Sequence, residues 1–124
     1  MEKKHHKVRI SWDGTKWKAN PGKLGGHPAE DKKVSRGDTI QWFIGSDPDS
    51  DPHSEVTLFF PDESIFGLSH VKLPCGENIT LEVRRKGKDV ANTSKLEENL
   101  YAAYCHQAYC FAEGESNPII IIER

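Results

Sequence analysis

The chain has 124 residues, of which 35% are hydrophobic and 29% charged, and its formal net charge is −2. That length suits one domain with a core of its own, and the composition excludes a disordered chain. The charge balance gives no electrostatic case for a nucleic-acid partner, and no apolar run approaches the roughly 18–20 residues needed to span a bilayer.

The start, Met1 to Lys7, is charged and has no apolar stretch behind it, so it does not read as a signal peptide. Residues 1–6 are expected to form a mobile terminus in which His5 and His6 bind metal only adventitiously. The compartment stays open: cytoplasmic, or periplasmic or secreted if a signal peptide has been removed.

Period-2 alternation then dominates. Val8, Ile10 and Trp12 form the first alternating run, and Ile40, Trp42 and Ile44 the second. Val56, Leu58 and Phe60 follow, then Ile79, Leu81 and Val83, and the chain closes on the apolar run Ile119–Ile122. Turn chemistry separates them at Asp13-Gly14, Asn20-Pro21-Gly22, Arg36-Gly37-Asp38, Asp47-Pro48, Pro61-Asp62 and Cys75-Gly76. Short strands with regular punctuation predict a β-sandwich or barrel in a single domain, 1–124. The stretch Asp89–Leu100 breaks the pattern and reads as a long polar loop or one short helical turn. His27 and His70 fall in predicted loops. The basic clusters Lys3–Lys7 and Arg84–Lys88 read as solvated surface.

Two constellations carry chemistry. The first is Gly37-Asp38-Thr39-Ile40-Gln41-Trp42, followed by an acidic loop and by Pro52-His53-Ser54-Glu55-Val56. It puts one imidazole at the mouth of a strand, just after a proline that restricts the backbone before it. The second is Tyr101-Ala102-Ala103-Tyr104-Cys105-His106-Gln107-Ala108-Tyr109-Cys110, read as strand, tight loop, strand. Two thiols and an imidazole within six residues suit copper or zinc better than calcium or magnesium. Asp47, Asp49 and Asp51 alternate like a calcium loop, but Pro52 and Leu58 stand where that loop needs Gly and an acid.

Together these segments resemble the cupredoxin family of plastocyanin and azurin, from about Val34 to the end of the chain. In that family a Gly-Asp-x-apolar-x-Trp strand leads to a Pro-His segment, and a Tyr-Cys strand lies near the end. The resemblance implies a Greek-key β-sandwich of seven or eight strands, with His53 as first imidazole ligand and Cys105 as thiolate ligand of a copper-type site. It also implies electron transfer or copper handling, with a redox partner or a copper donor or acceptor protein.

The match then breaks. The family's second histidine lies three to five residues after the cysteine, where this chain has Ala108, Tyr109 and Cys110. Glu113 or Gly114 stands where an axial methionine is often found. Three readings follow. His53, Cys105 and Cys110 bind copper or zinc, with His106 or Glu113 as a fourth ligand. Alternatively Cys105 and Cys110 form a redox-active disulfide. In the third reading the fold is a metal-free binding module. As a strand neighbour of Cys105, His106 is expected to point the other way unless the strand has already bent. Adjacent strand residues also make a poor Cys–His nucleophile pair, and no hydrolase motif is present, so the chain does not read as an enzyme. Cys75 is expected to be a structural thiol, and Trp12, Trp17 and Trp42 packing residues.

Overall fold

The computed structural model describes residues 3–12, 15–45, 55–74, 77–106, 110–112 and 118–124, with Trp12 and Cys110 described through their backbone alone. The strands are β1 (His5–Trp12), β2 (Trp17–Asn20), β3 (Lys23–Leu24), β4 (Thr39–Ile44), β5 (Val56–Phe59), β6 (His70–Leu73), β7 (Asn78–Glu82), β8 (Asn99–Leu100), β9 (Ala102–Cys105), β10 (Cys110–Phe111) and β11 (Ile119–Ile120). The only helix among the described residues is a single 3-10 turn, Glu30–Lys32. The protein is all-β.

The alternation in the sequence becomes the two faces of each strand. Val8 and Ile10 of β1 and Ile40 and Trp42 of β4 are fully buried. The same is true of Val56 and Leu58 of β5, and of Ala103 and Cys105 of β9. One mixed sheet has the order β2-β1-β4-β7, with β1 parallel to β4 and antiparallel pairing at both edges. A second sheet, β10-β9-β5-β6, is antiparallel throughout. A third, β3-β11-β8, closes the end of the chain, and Ile122 beyond it bridges Val34.

The first two sheets contribute to one hydrophobic core, which gives the molecule its sandwich-like character. Trp42 lies at its centre, with ring centroids 5.6 Å from Phe60, 5.6 Å from Phe66 and 5.8 Å from Tyr101. Burying four aromatic rings in tilted and edge-on contacts contributes more than area alone, by about 0.5–1.5 kcal/mol per pair.

Several sequence expectations change. His5 and His6 belong to β1 rather than to a mobile terminus. Asp38, only 2% exposed, holds that end of the strand: its carboxylate accepts hydrogen bonds from the Lys4 amide at 3.0 Å and the Ser35 amide at 2.9 Å, and lies 3.0 Å from His6 Nε2. His70 opens β6 opposite Phe59 instead of sitting in a loop. The Asp89–Leu100 stretch carries no helical turn; Asp89 bridges Leu96, and Asn99 and Leu100 pair with β11. No helix among the described residues is long and apolar enough to cross a membrane. Cys75 and the Asp47–Asp51 loop lie outside the described residues.

Arg85, from the basic cluster expected to be solvated, is only 13% exposed and ties the β5–β6 connection to both ends of its own β7–β8 connection. Its Nη2 donates to Asp62 Oδ2 at 2.7 Å and to Glu97 Oε1 at 2.5 Å, and its Nε to Ser64 Oγ at 2.9 Å. The Ser64 hydroxyl and the Arg85 guanidinium, outweighing burial, hold the Asp62 carboxyl down at about 2.

Candidate metal centre

The site expected from the sequence lies where β9, β10 and β5 meet. Within β9, burial alternates along the strand. Ala103 and Cys105 face the core, and Ala102 and Tyr104 face outward. Cys105 is fully buried beside Val56, its register partner on β5. On its other side Cys105 stands directly opposite Cys110 of β10.

The hydrogen bonds define that pairing further. The Ala112 amide donates to the Ala103 carbonyl at 2.7 Å, and the His106 amide to the Glu55 carbonyl at 2.9 Å. Alternation along an antiparallel ladder then makes Cys105 and Cys110 a hydrogen-bonded pair, with Cα atoms about 5.5 Å apart.

His106 lies across the sheet from Cys105. Its Nε2 is 2.6 Å from Thr57 Oγ1, and its ring packs edge-on against Tyr104 at 5.2 Å. Tyr104 in turn meets Phe111 at 5.1 Å. One imidazole nitrogen is therefore committed to a hydroxyl on the outer face, while the thiol faces the core. The alternation of the strand continues through residue 106, and this ring does not join Cys105 at a common point.

His53 and Glu113 lie outside the described residues, and the chain is described again from Glu55, opposite His106. Among the described residues no cluster of three or more His, Cys, Asp or Glu side chains is arranged to hold a metal. The donor chemistry fits a soft metal in part: two cysteines share one register position, while His106 is engaged elsewhere. Each of the other described histidines has a partner elsewhere: His70 is 3.1 Å from Ser69 Oγ, His27 accepts from the Ala29 amide at 3.0 Å, His5 is 2.7 Å from Thr39 Oγ1, and His6 is 3.0 Å from Asp38 Oδ2.

No family model matches the chain, and no curated protein matches it with significance.

Two features escaped the sequence reading. The His6–Asp38 pair was invisible because its members are thirty-two residues apart in the chain. Thr57 as partner of His106 could have been read from the alternation, had the pairing of β5 with β9 been known.

Proposed function

We propose that the chain is a single-domain, cupredoxin-like protein that binds a copper-type metal through Cys105, Cys110 and His53, and that it handles copper rather than working as a blue electron-transfer centre. The observation that carries this reading is the direct opposition of Cys105 and Cys110 across β9 and β10. Two thiolates and one imidazole form a soft, low-coordinate donor set that favours Cu(I), with Zn(II) as the nearest competitor. His106 is left out of the set because its Nε2 is held by Thr57.

The topology supports the Greek-key element of the reading. The chain runs from the β5–β6 hairpin to β7 in the other sheet and returns as β9 beside β5, while β1 lies parallel to β4. This chain's own contribution would be rigidity: Cys105 is fixed in a buried strand between two hydrogen-bonded neighbours, and Val56 and Ala103 help keep water from the thiol. A bound Cu(I) would supply an exchangeable metal for transfer to a partner protein. Such a protein is a binding and delivery module, not an enzyme.

The same register favours one second reading, a Cys105–Cys110 disulfide. A hydrogen-bonded cross-strand pair, at about 5.5 Å between Cα atoms, falls within the range a disulfide spans. Thiol counting before and after reduction, followed by Cu(I) titration of the reduced protein, separates the two. The copper reading expects tight binding of one Cu(I) per reduced chain. Thiols that titrate only after reduction, with no Cu(I) uptake, would leave the disulfide.

A further inference from the structure

Away from the cysteines, a cavity of about 650 Å³ opens between the start of β1 and the segment from Pro21 to Lys32. Its charged lining is one-sided for a chain of net charge −2. Lys7, Lys23 and Lys32 supply three ammonium groups against the single carboxylate of Asp31. None of these four side chains makes an ion pair with a described residue, so no described carboxylate neutralises the three ammonium groups.

His6 also lines the cavity, although its side chain is only 9% exposed. Its Nε2 is bound to the buried Asp38 carboxylate at 3.0 Å. The Lys4 amide, the His6 ring and the Ser35 amide outweigh burial and hold the Asp38 carboxyl below the ordinary carboxylate range, so this pair anchors the start of β1 in the cavity wall.

The walls are held in place. Lys4 Nζ donates to the carbonyls of Glu30 and Lys33 and fastens the turn bearing Asp31 and Lys32 onto β1. Gly25 and Gly26 adopt φ of +87° and +70°, and a Cβ on Gly25 would collide with the Ile121 carbonyl oxygen. Gly25 therefore has no room for a side chain against the Ile121 backbone just beyond β11. Leu24 and Pro21 add apolar surface, so the cavity offers more than a charge.

We propose that this cavity is a binding site for a small organic phosphate, with Lys7, Lys23 and Lys32 holding the phosphate and Leu24 and Pro21 packing the organic part. Lysine is a point-charge phosphate binder, and a cavity of this size exceeds what inorganic phosphate alone would fill. The site does not depend on the cysteines.

The test is amide NMR of the intact chain titrated with phenyl phosphate, inorganic phosphate and benzoate. Phenyl phosphate should saturate below about 1 mM and bind more tightly than either fragment, because it alone uses both charge and apolar wall. Shifts should centre on Gly25, Gly26 and His27. The exposed-site double variant Lys23→Glu/Lys32→Glu should weaken binding about tenfold or more, and Lys95→Glu on a distant loop should leave it within about twofold. Absence of saturable shifts in the unmodified chain would overturn the proposal, whatever the variants do. So would equal weakening by Lys95→Glu, which would mean diffuse attraction, or benzoate binding as tightly as phenyl phosphate.

Discussion

The Trp42 indole donates its Nε1 hydrogen to the Tyr101 hydroxyl at 3.3 Å, and both side chains are almost wholly buried. Trp42 belongs to the mixed sheet, and Tyr101 immediately precedes β9 of the antiparallel one, so this bond joins the two sheets at the centre of the core. Burial pushes the Tyr101 hydroxyl up to about 12, against a smaller opposing effect of the Trp42 hydrogen bond.

That bond makes an alkaline-stability prediction. Below pH 10 the tyrosine is protonated in both folded and unfolded chains. Above it the unfolded chain loses the proton while the folded one keeps it, so stability falls as pH rises from 10 to about 12. The loss is about 2–3 kcal/mol over that window. Tyr101→Phe should reduce the alkaline loss, and should cost about 1–3 kcal/mol at neutral pH by leaving the buried indole N–H without its acceptor. Urea melts at neutral and alkaline pH measure both.

Arg85→Ala should destabilise the fold by about 1–3 kcal/mol, because it strips a mostly buried guanidinium from Asp62, Glu97 and Ser64 at once. Arg85→Lys should recover only part of this, since an ammonium cannot fork to several acceptors in the same plane. The Asp62 carboxyl should also titrate higher in both variants. Its folded value of about 2 stabilises the protein above the ordinary aspartate range, and that contribution is lost as pH falls toward 2. Carboxyl NMR titration reads the shift directly.

Gly87→Ala should be among the most damaging small substitutions. A Cβ there would overlap the Ile122 carbonyl oxygen, while the Gly87 amide donates to the Glu123 carbonyl at 2.9 Å. The strand end must move or the bond must break, at a cost of about 2 kcal/mol or more. Thermal melts of the variant check it.

The two cysteines and His106 should separate cleanly. His106→Gln should leave Cu(I) affinity within about twofold, because Nε2 is committed to Thr57 on the outer face. Cys105→Ser and Cys110→Ser should each lower it by about a hundredfold or more, since a hydroxyl is a poor donor to a soft metal. Competition with a chromophoric Cu(I) chelator gives all three values.

Much of the fold is legible in the sequence because inward residues recur at every second position. Val8 and Ile10, Ile40 and Trp42, and Val56 and Leu58 mark β1, β4 and β5 for that reason. β6 is faint in the sequence because His70 and Lys72 leave only Val71 and Leu73 as apolar signal in a strand paired on one side. β2 is hard to see because its inward residues are Trp17 and Ala19 alone, in a four-residue strand. The ordering of His5 and His6 could not be read locally: it depends on Asp38, brought alongside by the parallel pairing of β1 with β4. At the site, closeness in sequence suggested that Cys105 and Cys110 were neighbours, but only the hairpin register makes them opposite. The same pleat that aligns them turns His106 away.

The most direct test of the central claim is Cu(I) titration of the reduced chain against a chromophoric chelator, with free thiols counted in the same sample. The account predicts one tightly held Cu(I) per chain, protection of two thiols on binding, and loss of that affinity in Cys105→Ser, Cys110→Ser and His53→Ala. Binding that survives Cys105→Ser, or no competition with the chelator by fully reduced protein, would contradict it.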